Sequence, residues 1–418
     1  MAVQLQLFGQ GRTRCLDADA LRAELAGFRA FGTATQCGEL RVGERPVPTF
    51  TNEFWTSAQR AAHRLHEVSY RACFKPQLPR FYVDRLTQPG ALVYDPFLGR
   101  GTTVIEAALA GRRVAGCDVN PLSGVLCGPR LQPPALDVLR RRLADLPFDA
   151  PAPAADAPHD LSVFYHPDTL RELLALRRYL LEQPELDPVD RWIQMVAVNR
   201  LTGHSSGFFS VYTLPPNQAT SVAAQRKINE KRQQVPPRRD VKEILWRKSK
   251  QLIATLTDVD RAHLQACAPR LLCRDSGHTP ELATGSVDLV VTSPPFLAVV
   301  DYAGDNWLRC WFVGVDAARV PITMARTVEA WQAAMAPVFG ELARVVRPGG
   351  FVAFEVGEVA RGQVRLEEAV LPVAVAAGLV PVCVQINAQA FTKTANCWGV
   401  SNNRAGTNSN RIVVLQAP

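Results

Sequence analysis

The chain has 418 residues, 47% of them hydrophobic and 21% charged. That composition excludes a disordered or fibrous protein and is long enough for two to three domain equivalents around a large core. The net charge of +8 is concentrated in one place. From Ser221 to Lys250 ten Lys/Arg stand against three acids, a field that suits a polyanion and that a solvated helix face would also produce. No run approaches 18 uninterrupted apolar residues, so no transmembrane helix is expected. The N-terminus MAVQLQLFGQGRTRC does not have the pattern of a secretory signal, and a cytoplasmic location is expected. The ten cysteines include no C-x-x-C pair. They are expected to be reduced packing residues, and no metal site is expected.

Residues 1–70 show one helical stretch, Ala18 to Arg29, and otherwise no strong periodicity; they form an N-terminal extension. From 71 to 130 the pattern is α/β. A helix is predicted from Leu78 to Leu86, stopped by Pro89-Gly90. ALVYDPF follows as a buried strand, GRGTTVIEAALAG as a glycine turn opening a helix, and RRVAGCDVNP as a second strand. Strand, glycine turn, helix and strand within about 30 residues make one βαβ unit. Residues 131–265 break the rhythm with amphipathic helices, among them HPDTLRELLALRRYLLEQ and DRWIQMVAVNRLTGH. A Pro/Ala linker, an irregular aromatic stretch from His204 to Tyr212 and the basic run complete this mostly helical insertion. From 266 to 418 the α/β rhythm resumes. The strands PRLLCRDS and SVDLVVTSPPF come first, then a helix from Val328 to Val345, the RPGG turn and the strand FVAFEVG. A helix, LEEAVLPVAVAAG, and two closing strands, LVPVCVQINA and NRIVVLQ, end the chain. The expected architecture is a Rossmann-like α/β sheet of about seven strands with a C-terminal β-hairpin, interrupted by the insertion.

Ligands of open α/β sheets bind beyond the carboxyl ends of the strands. Four such ends stand out. Asp95-Pro96-Phe97-Leu98-Gly99-Arg100-Gly101-Thr102-Thr103 lets the backbone turn tightly and approach a ligand closely. Asp118 ends the next strand, where a carboxylate can take ribose hydroxyls or cap the helix that follows. Ser293-Pro294-Pro295-Phe296 offers a hydroxyl, a rigid run of backbone carbonyls and an aromatic plate, a set that suits a planar base carrying an amino group. Asp275 ends the strand before it, and again a cap is the structural alternative. The third glycine of G-x-G-x-x-G is missing, which argues against a nicotinamide dinucleotide.

DPFLGRGTT, the acid Asp118 and TSPPF in this order resemble the S-adenosylmethionine-dependent amino-methyltransferases of DNA, and SPPF is similar to their cytosine-N4 branch. The resemblance covers about 71–125 and 268–418. It implies a class I methyltransferase sheet with S-adenosyl-L-methionine as cofactor. By the same likeness the cofactor-binding residues are Phe74, Lys75, Pro76, Asp95, Pro96, Phe97, Gly99, Gly101, Thr102, Thr103, Asp118, Asn120, Asp275 and Ser276. Ser293, Pro294, Pro295 and Phe296 form the catalytic loop.

Asp118 and Asp275 are 157 positions apart, so the insertion follows the second strand and is the expected target-recognition segment. Its candidate contacts to nucleic acid are Arg226, Lys227, Lys231, Arg232, Arg238, Arg239, Lys242, Arg247 and Lys248, joined by Lys393 and Arg404 of the Asn-rich loop. The implied reaction is methyl transfer to the N4 amine of a flipped cytosine in double-stranded DNA, within a modification or restriction setting. A restriction endonuclease or defence system is then the implied partner, and the enzyme is a monomer or dimer. In this reading the Ser293 hydroxyl and the Pro294 carbonyl pull the amine toward tetrahedral geometry, and Phe296 stacks on the base. Adenine-N6 transfer, an RNA substrate and a non-catalytic nucleic-acid-binding protein remain the alternatives. Cytosine C5 chemistry is disfavoured because no cysteine follows a proline.

Overall fold

The structure is a computed structural model. It describes residues 15–43, 45–55, 62–70, 73–150, 160–214, 219–295, 301–322, 325–356, 358–359, 364–388 and 409–418. The elements begin with α1 (Ala18–Ala26), β1 (Gln36–Val42), β2 (Arg45–Asn52), α2 (Gln77–Leu86), β3 (Leu92–Asp95), α3 (Thr102–Leu109), β4 (Arg113–Asp118) and α4 (Pro121–Leu131). The insertion holds α5 (Leu136–Asp145), α6 (Pro167–Glu182), α7 (Pro188–Val198), α8 (Val222–Arg232), α9 (Val241–Ile253) and α10 (Asp258–Ala266). The chain then returns with β5 (Arg270–Cys273), β6 (Val287–Thr292), α11 (Tyr302–Phe312), α12 (Val328–Val345) and β7 (Val346–Val356). A short hairpin of β8 (Glu358–Val359) and β9 (Val364–Arg365), then α13 (Leu366–Ala376), β10 (Val380–Ala388) and β11 (Ser409–Gln416), complete it.

The main sheet runs β1-β2-β10-β11-β7-β6-β3-β4-β5. The five strands β7, β6, β3, β4 and β5 at one end of the sheet are parallel, and β11 lies antiparallel to both β7 and β10. Counting only β3 to β7, β10 and β11, the order is the doubly wound one of class I methyltransferases with its closing hairpin. The winding reverses between β3 and β6, so the crevice for a ligand opens at the ends of those two strands. The apolar runs expected as strands are buried on both faces, as parallel strands under helices require: β3 is buried throughout, and Val287, Leu289, Val290 and Val291 of β6 are inaccessible.

Among the described residues the main sheet has nine strands rather than about seven. The two extra ones come from the N-terminal extension: β1 and β2 pair antiparallel, and β2 adds in parallel to β10. Sequence periodicity misses them for a physical reason. β1 is an edge strand exposed over most of its length, so it carries no apolar alternation. β2 contains Pro46 and Pro48, residues that ordinarily mark a strand as an edge or a break. The RPGG segment, expected as a turn, is drawn into the first half of β7.

The insertion is helical, as expected, and it is tied to the core by polar contacts. Lys248 of α9 reaches Glu67 at 2.6 Å. Within the insertion, the Trp192 indole of α7 donates to the Ser249 hydroxyl of α9 at 3.0 Å and joins the two helices. The Ala219 amide donates to the Asp305 carbonyl at 2.8 Å, which seats the start of the basic run on α11. Among the described residues no helix is long and apolar enough to cross a membrane.

Candidate active site

The strand ends meet. One cavity, open to solvent, is lined by Asp95, Phe97, Gly99, Thr102, Asp118, Asn120, Asp275, Ser276, Ser293 and Pro295. It lies where the winding of the sheet reverses.

The floor is built from β3 and the glycine turn. Gly99 and Gly101 both have positive φ, 49° and 76°, a region that favours glycine. A Cβ on Gly101 would stand 2.4 Å from the Cys127 sulfur, so this position admits no side chain. Gly101 opens α3, and the Gly99 amide donates to the Asp118 carboxylate at 2.8 Å. Asp118 also accepts from the Asn120 amide at 2.9 Å. The helix cap proposed for Asp118 falls instead to Asn120, whose side chain accepts from the Leu122 amide. Asp118 is thereby left at the cavity wall.

Asp95 is buried, and its Oδ1 accepts from the Thr292 hydroxyl at 2.6 Å and from the Phe97 amide at 3.1 Å. The bond to Thr292 ties the end of β3 to the end of β6. Burial pushes Asp95 up to about 7, against the pull of those donors. Burial pushes Asp118 up as well. Two desolvated carboxylates on one cavity, with no cation paired to either among the described residues, fit a ligand that brings a positive charge and hydroxyl donors.

The loop that begins at Ser293 shows a contact that the sequence pattern does not reveal. The Ser293 hydroxyl donates to the carboxylate of Glu355 at 2.5 Å. Glu355 sits on β7, buried, and its other oxygen accepts from the Asn410 amide nitrogen at 3.0 Å. Burial pushes this carboxyl up, opposed by Ser293 and Asn410. A lone acid within the apolar strand FVAFEV was the available signal, because an unpaired charge in a doubly covered strand needs a reason.

Other expected positions do not face the cavity. Pro294 is buried and does not line it, and the Pro295 carbonyl accepts from the Trp331 indole at 3.1 Å. The loop is thus pinned from α12, and Pro294 is not among the residues that line the cavity. Thr103 is spent on the Val291 carbonyl at 2.9 Å, and Pro96 accepts from the Ser276 hydroxyl. Of the FKP segment only Phe74 lines the cavity; Lys75 is exposed and Pro76 precedes α2 as its cap residue. Phe296, Lys393 and Arg404 lie outside the described residues. Tyr70, Cys73, Arg100, Val119, Met335 and Val338 line the cavity without having been singled out. Tyr302 lines it too, while Asp301 caps α11 by accepting from the Gly304 amide at 2.9 Å.

The basic run divides. Lys248 is buried in its ion pair with Glu67, and burial pulls its ammonium below the usual lysine range. It is a structural contact and not a free cation for phosphate. Arg238 pairs with Glu172, Arg226 with Asp160 at 3.1 Å and Arg247 with Glu243 at 3.5 Å. Arg232 lies over the Tyr212 ring at 3.8 Å, and Arg239 is half-buried. Lys227, Lys231 and Lys242 are exposed and make no ion pair among the described residues. In the stretch His204–Tyr212, Phe208, Phe209 and Val211 are buried, which favours the packed aromatic loop over a surface reaching outward.

A family model described as DNA methylase matches residues 38–122, from the N-terminal hairpin through the glycine turn to the residues after Asp118. Over that stretch the chain is similar to DNA methylases. Type II methyltransferase M.MvaI of Kocuria varians is 26% identical over 142 residues, 33% of this chain and 27% of that protein. Type II methyltransferase M1.MboII of Moraxella bovis is 28% identical over 122 residues, 27% of this chain and 47% of that protein. The matched stretches therefore span a quarter to a half of these relatives. Among solved structures, a geranyl diphosphate methyltransferase in complex with SAM matches 82% of this chain and 85% of that one. Its identity is 10% and its TM-score 0.33, and the fold assignment rests on the strand order above. The matched stretch takes in all of β2 and β1 from residue 38 onward, so the similarity includes the strands that sequence periodicity missed.

Proposed function

We propose that this chain transfers a methyl group from S-adenosyl-L-methionine to the exocyclic N4 amine of a cytosine in double-stranded DNA. The observation that carries the reading is the junction of the glycine turn, Asp95 and Asp118 with Ser293 in one cavity, and the Ser293–Glu355 bond behind it.

When bound, the cofactor supplies an electrophilic methyl group on a sulfonium. Asp95 and Asp118 would hold it: buried carboxylates gain from an ammonium and from ribose hydroxyls. Gly99 leaves room for its approach. Phe97 and Val119 give apolar walls for a flat ring.

Ser293 is the residue that would act on the base. An exocyclic amine on a pyrimidine has its lone pair delocalised into the ring, so it attacks only after that lone pair is localised. Ser293 spends its one hydrogen on Glu355, which leaves its oxygen an acceptor. The amine then donates to Ser293, and the hydrogen bond grows as nitrogen gains positive charge, stabilising the transition state more than the ground state. Glu355 strengthens Ser293 as acceptor by polarising its O–H bond. A paired base in a duplex cannot reach this depth and must leave the stack, at a cost of about a few kcal/mol. The insertion, with its free lysines, would hold the DNA.

Ser293→Ala tests the assignment. Methyl transfer to DNA should fall by about 100-fold or more, with cofactor and DNA affinities little changed. Equal losses in binding and transfer would remove Ser293 from the chemistry.

A further inference from the structure

Helix α8 has no apolar face. Of its eleven residues only Gln225 is buried, so the helix gains little from packing. Polar tethers hold it instead. The Gln225 amide donates to the Tyr212 carbonyl at 3.1 Å, and the Asn229 amide to the Val163 carbonyl at 2.7 Å. Lys227 and Lys231 are four residues apart, share one face, and are among the unpaired cations of the insertion. A cationic surface maintained without apolar burial is not a by-product of core formation.

The turn after α8 is firmly held and yet presents an apolar tip. Gln233 adopts the left-handed conformation and donates to the Asn229 and Glu230 carbonyls. The Gln234 amide donates to the Tyr212 carbonyl at 3.0 Å and to the Asn229 side chain at 2.8 Å. On the far side the Arg239 amide donates to the Thr169 hydroxyl at 2.8 Å, and Arg238 pairs with Glu172. Between these anchors Val235 is 82% exposed, the largest exposure among the exposed large hydrophobic residues. Pro236 and Pro237 follow it and fix their φ angles, which limits the tip's freedom to fold back.

The placement connects this tip to the cavity. The Ala219 amide and the Thr220 carbonyl bond to Asp305 and Trp307 of α11, whose first residue, Tyr302, lines the cavity. From that anchor α8 extends about 15 Å, the span of a few base steps.

We infer that α8 and the Val235 turn form a duplex-binding element, in which Lys227 and Lys231 contact phosphates and Val235 inserts as an apolar wedge at a base step near the target. The inference rests on DNA being the substrate. The chemistry is that of a rigid apolar side chain that unstacks bases, flanked by cations that hold the backbone. The surrounding positive charge favours a nucleic acid over an apolar protein partner.

The test uses the full chain and an end-labelled short duplex of random sequence, with 2-aminopurine replacing some adenines. The double variant Lys227→Gln/Lys231→Gln should lower the log–log salt slope of binding by about 2; an unchanged slope overturns the phosphate contacts. Val235→Asp should weaken binding by about tenfold, and Val235→Ala less. Both should reduce the 2-aminopurine fluorescence rise, at melting temperatures equal to wild type. If Val235→Asp binds and unstacks DNA as wild type does, while wild type methylates duplex, the wedge is wrong and the methyl-transfer reading stands. If wild type neither binds nor methylates duplex, both fail. A Val235 surface reserved for a protein partner would give the first of these results.

Discussion

The hydroxyl of Ser293, at the end of β6, donates to the buried carboxylate of Glu355 on β7 at 2.5 Å. The two residues are far apart in sequence and meet because β6 and β7 pair in parallel, with Thr292 opposite Phe354. This contact fixes which way the Ser293 proton points, and so what its oxygen can offer a substrate.

Glu355→Gln should lower kcat by about 10- to 100-fold while cofactor affinity holds. The pH behaviour follows from the upward shift of Glu355, whose first cause is burial. Its ionised form is the one that polarises Ser293, so activity should rise as pH climbs through its folded pKa, and the variant should lose that limb. Stability has the opposite sign. With a raised folded pKa, the native state holds its proton longer than the unfolded chain, so stability falls as pH rises from the unfolded to the folded value. The variant should therefore melt above wild type at alkaline pH, with the gap closing toward acid. A melting temperature below wild type at high pH would contradict this.

Asp95 gives a second pH test. Burial pushes it up to about 7, and its carboxylate form is the one that attracts a cationic ligand. Calorimetric affinity for S-adenosylmethionine should increase as pH rises through about 7 and level off above it. Asp95→Asn should bind weakly and show no such step. A pH-independent affinity in wild type would place the cofactor's charge elsewhere.

Gly101→Ala should destabilise the fold by about 2–4 kcal/mol and abolish cofactor binding. The added methyl would collide with Cys127 at 2.4 Å, in a backbone region disfavoured for alanine. A thermal melt checks it. Cys127→Ala in the same chain should recover part of the loss by relieving the collision, but not the part due to φ.

Lys248→Ala should lower stability by about 1–3 kcal/mol, since it leaves the partly exposed Glu67 without its buried partner. It should leave the salt slope of DNA binding unchanged. A slope that falls as it would on loss of one phosphate contact would return Lys248 to the interface.

The parts of the site legible in sequence are those where chemistry and chain order coincide. Gly99 and Gly101 announce a turn, and Asp95, Asp118 and Ser293 each end an apolar run, so their convergence follows from parallel strands ending on one side. Glu355 stands out in sequence as a lone acid in an apolar strand, but its contact with Ser293 was not legible, because it depends on strand pairing, which a linear pattern does not record. The hairpin β1–β2 was hidden because an exposed edge strand has no buried face to impose a period. The basic run misled in part. Lys248 reads like its neighbours as a charge in sequence, and only packing shows that its partner is Glu67. Likewise Pro294 and Pro295 share a motif, but the Trp331 indole from α12 decides which carbonyl is spent.

The most direct test of the central claim is the identity of the modified base. DNA incubated with the protein and S-adenosylmethionine carrying a labelled methyl group, then digested to nucleosides, should yield label in N4-methylcytosine. Label found only in N6-methyladenine would contradict the cytosine assignment, and DNA left unlabelled would contradict methyl transfer itself.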